Sequence, residues 1–220
     1  MAEEKVLSYN DVVLRGSDLE ILQGPHYIND RIIEFYWSYL STTISDRILF
    51  VPPSISFWIA NCPDSQSLRE AVNPLNFLSR DLVVFTVNDS SDFTQAEGGA
   101  HWSLLVYERA NNVVVHHDSL TPMNRSQARR FFKAVKGFLG DGSEEVRFIE
   151  GQTPQQTNAY DCGLYVMRIG RVVCDWFEGQ CDRGIDLWFS ELNEEVDTVV
   201  VANLRNAVLE LILGFMKKSK

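Results

Sequence analysis

Four short apolar runs near the middle of the chain decide its architecture: Arg80-Asp81-Leu82-Val83-Val84-Phe85-Thr86-Val87, Trp102 to Glu108, Val113 to Asp118 and Val146 to Glu150. Each has strand length and is rich in β-branched or aromatic residues, with turn-forming residues falling between the runs. On either side the apolar residues switch to helical spacing. Ile32, Ile33, Phe35, Tyr36, Tyr39 and Leu40 recur that way behind an Asn29-Asp30 cap, and Ala128, Phe131, Phe132, Val135 and Phe138 share one side of a helix from Ser126 to Leu139. Further helices are predicted at Ser54 to Ala60, at Ser67 to Val72, from Cys162 onward, at Ile185 to Glu195 and at Thr198 to Met216. A short strand is predicted at Asp46 to Val51, while Ser8 to Asp11 and Ser17 to Glu20 read as short capped turns or helices. The sum is an α+β fold, a central mixed β-sheet flanked by helices, and the 220 residues fit a single domain, 1–220.

Composition limits the partners. A content of 45% hydrophobic and 23% charged residues is that of an ordinary globular protein. The formal net charge of −10 argues against nucleic-acid binding, because neutralising phosphates needs clustered Lys and Arg; an acidic surface suits a basic protein partner better. Met-Ala-Glu-Glu-Lys lacks the pattern of a secretory signal, and no run reads as long and apolar enough to span a bilayer. The last helix, interrupted by Asn203, Arg205, Asn206 and Glu210, is expected to pack on the domain rather than to meet a membrane. Cys62, Cys162, Cys174 and Cys181 show neither a disulfide framework nor a Cys-x-x-Cys pair, which suits the reducing cytoplasm or nucleus. Cys174 reads as a small core hydrophobe. No zinc site is expected, since His116 and His117 are strand neighbours that point to opposite faces.

Cys162 stands apart from the other cysteines. The polar loop Pro154-Gln155-Gln156-Thr157-Asn158-Ala159-Tyr160-Asp161 leads straight into an apolar helix that begins at this thiol, and the positive end of a helix favours the reactive thiolate. Acyl chemistry on a thiol also needs a base, a group that orients the base, and donors for the oxyanion. His101, at the head of the Trp102 run, is the candidate base; Asp118, at the end of the next run, could be brought back to it by a hairpin. Gln156 could supply one oxyanion donor from its side-chain amide, with the Cys162 backbone N–H as the second. His116 and His117 are discounted as the base, because residues adjacent to Asp118 on one strand point away from it. Asp161 reads as a helix cap. Gly163, a poor choice inside a helix by about 0.8–1.0 kcal/mol, suggests that a neighbour needs the space of its missing side chain. Gly98-Gly99 permits backbone to pass close to a ligand, and Trp102 reads equally as core or as the wall of a substrate channel.

With these residues in view, the chain resembles a cysteine peptidase of the Ulp and sentrin-specific type, in which the order is His, Asp, Gln, Cys. The matching pieces are His101-Trp102-Ser103-Leu104, His117-Asp118-Ser119, and Gln156 followed by Asp161-Cys162-Gly163. Within that family it is most similar to the deneddylase branch, the sentrin-specific protease 8-like enzymes that act on the ubiquitin-like modifier Nedd8, called Rub in plants and yeast. That likeness runs from about Val6 to the C-terminal helix through Leu7-Ser8-Tyr9, Asn29 to Ile33, Val87-Asn88-Asp89 and Gly98 to Tyr107. The resemblance implies an aromatic slot formed by Tyr27 and Trp102 around a Gly-Gly terminus, with Tyr27 standing where the family commonly carries Trp. It also implies modifier contacts at Asn29 and Asp30, which the residues alone would assign to helix capping, and a loop from Asn88 to Ala100 that orders over the modifier.

The expected activity is cleavage after the C-terminal Gly-Gly of a Nedd8/Rub-type modifier, as isopeptidase and precursor peptidase, by a monomer that needs no metal or organic cofactor. The alternatives are action on the sumoylation modifier, non-cleaving binding of a ubiquitin-like protein, and acetyl transfer on a related Cys-His scaffold. The reading requires the Cys162 sulfur to lie within reach of the His101 imidazole and to be open to water.

Overall fold

The computed structural model describes residues 4–92, 98–140, 142–179 and 187–218. The chain opens with a hairpin, β1 (Lys5–Tyr9) antiparallel to β2 (Val12–Arg15), turning at Asn10 with φ of 49°. The segment Ser8 to Asp11 is therefore a strand end and a hairpin turn rather than a capped helix. Asn and Asp serve both purposes, and here the alternation of buried Leu7, Val12 and Leu14 decides for strands. Next come α1 (Gly16–Gln23) and α2 (Asp30–Leu40), the second capped by the Asn29 side chain, which accepts from the Ile32 N–H at 3.0 Å. A short β3 (Ile48–Phe50) precedes α3 (Pro53–Asn61) and α4 (Ser65–Val72). α4 starts two residues before Ser67 because Asp64 caps it through the N–H groups of Gln66 and Ser67.

β4 (Leu82–Asn88), β5 (Trp102–Glu108) and β6 (Val113–His117) follow, then α5 (Arg125–Val135) with a tight turn Lys136–Phe138 continuing it, and β7 (Arg147–Glu150). The chain ends with α6 (Cys162–Gly179), α7 (Phe189–Glu195) and α8 (Thr198–Lys218). The expected helical start at Ile185, like Cys181, lies outside the described residues.

The sheet order is β3-β4-β5-β6-β7, parallel at both outer pairs and antiparallel at the two inner ones. Its central strands are apolar on both faces because both faces are covered. Leu82, Val84, Leu104, Val106, Val113 and Val115 pack with α2, α6 and α8. Val83, Phe85, Leu105, Tyr107 and Val114 pack with Phe131 and Val135 of α5 and Ile59 of α3. Cys174 sits in the first of these cores, fully buried, and burial pushes its thiol well above the ordinary range.

α8 corrects one expectation: by length and composition it is apolar enough to cross a membrane. In the fold it buries Val201, Arg205, Val208 and Ile212 and packs on α1, α6 and β1.

Candidate active site

Antiparallel pairing of β5 with β6 puts Leu104 opposite His117, so Asp118 falls one step further, opposite Ser103, on the face that His101 shares. The side chains meet: His101 Nε2 lies 2.6 Å from Asp118 Oδ1, and both residues are buried. Asp118 is itself held by the backbone N–H groups of Leu120 (to Oδ1, 2.9 Å) and Asn124 (to Oδ2, 2.9 Å). Asp89 Oδ1 accepts from the N–H groups of Ala100 (2.8 Å) and His101 (3.0 Å) and so fixes the backbone of the histidine. Gly99, with φ of 89°, leaves the space that the Asn88 and Asp89 side chains occupy, and it also lines a cavity.

Cys162 lies close enough to His101 to act on its basicity. Burial alone would lower the basicity of the imidazole, but the hydrogen bond to the Asp118 carboxylate and the nearness of Cys162, with the charges of both, outweigh it and raise the pKa to about 9. Asp118 feels the same opposition. Burial works against its charge, while the His101 bond and the two backbone donors hold its pKa below the usual carboxylate value.

Cys162 is the first residue of α6. The loop before it is tied down side chain by side chain. Gln156 accepts at Oε1 from Ser119 Oγ (2.8 Å) and donates one Nε2–H to the Asn158 carbonyl (2.7 Å), which leaves the second N–H of the amide. The carbonyl of Asp161 accepts from the Tyr165 N–H at 3.0 Å, but its side chain is engaged elsewhere than on the first turn. Its Oδ2 accepts from Asn158 Nδ2 at 2.7 Å and its Oδ1 from Arg205 Nη2 at 2.9 Å. A buried arginine outcompetes the first-turn N–H groups for this carboxylate.

Gly163 has the reason the sequence called for. A Cβ there would stand 2.6 Å from Ile28 Cβ and 3.1 Å from its Cγ2, so the missing side chain lets the segment before α2 close on α6. Ile28 in turn accepts from Trp102 Nε1–H at 2.9 Å through its carbonyl, and this bond fixes the indole. Tyr27, half exposed, and Trp102 line one cavity of about 580 Å³ together with Asn29, Asp30 and Gly98 to Ala100. Asn29 therefore caps α2 and faces the cavity at once. Of the segment Asn88 to Ala100, residues 93–97 lie outside the described residues.

One requirement of the sequence reading is met and one is not. The sulfur lies within reach of the imidazole, but Cys162 has 0% exposure and His101 2%. The thiol is covered in this state, so a substrate must displace its cover.

The chain matches the Ulp1 protease family, C-terminal catalytic domain, over residues 26–175. It belongs to that family. NEDD8-specific protease 1 of Arabidopsis thaliana is 48% identical over 219 residues, covering 99% of this chain and 96% of the relative. Sentrin-specific protease 8 of Homo sapiens is 35% identical over 176 residues, covering 78% and 82%. The fold is that of the C-terminal Ulp1 protease domain solved in complex with Smt3, the yeast ortholog of SUMO: TM-score 0.65 at 19% identity, over 96% of this chain and 88% of that one. This Ulp1-family chain is a cysteine protease.

The two discounted histidines are committed elsewhere. His117 accepts at Nε2 from Trp188 Nε1–H (2.8 Å), so its Nδ1 carries the proton and donates to Thr153 Oγ1 (2.9 Å). Burial holds it neutral, with its pKa pushed down to about 3. His116 bridges Glu150 Oε2 (2.9 Å) and Ser103 Oγ (3.0 Å), and burial lowers its pKa despite the carboxylate. Sequence reasoning missed three residues that order the site: Asn124, Ser119 and Arg205. Asn124 is fully buried; its Nδ2 donates to the carbonyls of Val87 and His101 and to Ser103 Oγ. A polar residue just ahead of an amphipathic helix reads as an ordinary cap, and no local pattern separates it from one.

Proposed function

We propose that this chain is a cysteine isopeptidase and peptidase that cleaves after the C-terminal Gly-Gly of a Nedd8/Rub-type modifier, releasing it from lysine side chains and trimming its precursor. The observation that carries the reading is the pair of His101 and Asp118 with Cys162 beside it at the first residue of α6, in a chain 48% identical to a NEDD8-specific protease over nearly its whole length.

In this reading Cys162 attacks the terminal glycine carbonyl as thiolate, with the protonated His101 beside it. The second Nε2–H of Gln156 and the Cys162 backbone N–H stabilise the oxyanion. His101 gives its proton to the leaving amine; water, deprotonated by His101, then opens the thioester, and Asp118 keeps the imidazole oriented throughout. Tyr27 and Trp102 form the slot, which rejects side-chain-bearing residues because a Cβ would clash, and Asn29 and Asp30 meet the modifier at its mouth. The protein works as a monomer in the cytoplasm or nucleus, without nucleic-acid or membrane partners.

The test is parallel incubation of wild type and Cys162→Ala with C-terminal electrophilic probes of Nedd8/Rub, ubiquitin and SUMO, read by intact mass. The expected result is an adduct on Cys162, fastest with the first probe. An adduct on another cysteine would overturn the site, and equal rates for all three would overturn the modifier.

A further inference from the structure

α8 lies beyond the region of the family match, yet one of its side chains reaches the site. Arg205 is 9% exposed and spends three hydrogen bonds on segments far away in sequence. Nη1 donates to the Ile21 carbonyl at 2.9 Å, and Nη2 donates to the His26 carbonyl and to Asp161 Oδ1, both at 2.9 Å. Its guanidinium also lies 5.8 Å from the centre of the Tyr160 ring. Burying an ion pair seldom improves stability over an apolar packing of the same volume, so a pair placed here asks for another reason.

The partners supply it. His26 precedes Tyr27 of the cavity wall, and Asp161 precedes Cys162. From Asp161 the contacts continue inward: Oδ2 accepts from Asn158 Nδ2 (2.7 Å), Asn158 Oδ1 accepts from the N–H groups of Tyr160 (3.1 Å) and Asp161 (3.0 Å), and the Asn158 carbonyl accepts from Gln156 Nε2 (2.7 Å). Three hydrogen bonds in series, Arg205 to Asp161, Asn158 to Asp161 and Gln156 to Asn158, thus lead from α8 to the amide that the proposed mechanism aims at the oxyanion.

We infer that Arg205 is a positioning residue: through Asp161 it sets the loop that carries the Gln156 amide and the Cys162 N–H, and through the His26 carbonyl it sets the wall that receives the modifier tail. The inference rests on the function proposed above. It makes a division of labour between the two arms. Loosening the Asp161 arm weakens transition-state stabilisation alone, whereas loosening the His26 arm also weakens ground-state binding of the tail.

The experiment compares wild type, Arg205→Lys, Asp161→Asn and the double variant in three readouts: kcat on a fluorogenic modifier amide, affinity for the modifier bearing a C-terminal aldehyde, and affinity for the cleaved modifier. The aldehyde forms a tetrahedral adduct with an oxyanion, so it reports the loop; the cleaved modifier reports the slot. Asp161→Asn is expected to lose about 10-fold in kcat and in aldehyde affinity while binding cleaved modifier within about 2-fold of wild type. Arg205→Lys is expected to lose as much in kcat and about 3-fold in binding of cleaved modifier. The double variant is expected to lose no more kcat than Arg205→Lys, since both remove one contact. Additive losses, or a folded Arg205→Lys with unchanged aldehyde affinity, would overturn the inference. If Arg205→Lys fails to fold, Asp161→Asn decides alone, and equal losses in aldehyde and cleaved-modifier affinity overturn the inference. A wild type that neither cleaves nor prefers the aldehyde overturns the proposed function itself.

Discussion

Replacing Gly163 with Ala sets two known effects against each other. In an ordinary helix interior the change stabilises by about 1 kcal/mol, because glycine has more backbone freedom to lose. Here the new Cβ would stand 2.6 Å from Ile28 Cβ, and that atom cannot be rotated out of the way. Restoring ordinary contact requires about 1 Å of backbone retreat, the kind of overpacking that costs about 1–3 kcal/mol, so the net expectation is a loss of up to about 2 kcal/mol. The functional loss should be larger than the stability loss. Ile28 carries the carbonyl that holds the Trp102 indole at 2.9 Å, and a 1 Å displacement in a reacting geometry can cost about 100-fold. Calorimetric unfolding together with kcat/KM on a fluorogenic modifier amide checks both halves. A variant that melts higher than wild type and keeps its kcat/KM would refute the claim that this glycine is a seat for Ile28.

Protonation of two histidines should give stability a maximum near pH 6.5. His101, with its pKa raised to about 9, contributes stability that is complete below 6.5 and is lost as pH rises through 9, while His117, held to about 3, makes the fold lose stability as pH falls from 6.5 toward 3. Chemical denaturation across pH should show both slopes, and a flat profile between 6.5 and 9 would contradict the His101 assignment. The adjacent glutamines should separate. Gln156→Ala is expected to reduce kcat about 100-fold or more, far beyond what the loss of its bonds to Ser119 and Asn158 costs in melting, whereas Gln155→Ala, whose amide donates to the Asp118 carbonyl (2.9 Å) and accepts from the Thr121 N–H (3.0 Å), should mainly destabilise. Asn124→Ala removes a buried donor to the Val87 and His101 carbonyls, the second of which keeps the Asp89 N–H, and should cost about 1–3 kcal/mol by denaturant titration, even though its backbone bond to Asp118 persists.

How much could be read in advance follows the range of each interaction. β4, β5 and β6 were legible because burial on both faces leaves an unbroken apolar run, and the closeness of His101 to Asp118 follows from the hairpin register alone. The gap left by Gly163 was legible as a need without an address, since nothing local points to Ile28. Arg205 reads in one dimension as a polar interruption of an apolar helix. Its partner Asp161 lies 44 positions away, and the meeting depends on how α8 crosses the end of α6. At Asn10 the turn was legible but the strands flanking it were not, because turn and cap draw on the same residues, and the covered thiol was invisible because exposure belongs to the assembled site.

The site is assembled from two halves that fold by different rules. His101 and Asp118 ride on the ends of β5 and β6, where strand register sets their distance; Cys162 and Gln156 ride on α6 and its loop, where helix packing does. Packing of α6 on β5 brings the halves together, and the finer alignment comes from the seam. The seam is made of hydrogen bonds: the Gln156 N–H to the Ser119 carbonyl (2.8 Å), Ser119 Oγ to Gln156 Oε1 (2.8 Å), Gln155 Nε2 to the Asp118 carbonyl (2.9 Å) and the Thr121 N–H to Gln155 Oε1 (3.0 Å). One of the four is backbone to backbone and survives any side-chain change. That bond ties the residue after the orienting acid to the residue bearing the amide, so a variant at Ser119 or Gln155 loosens the seam without parting it. A thiol site tolerant of drift around it, yet intolerant of change at Gln156 itself, is the consequence.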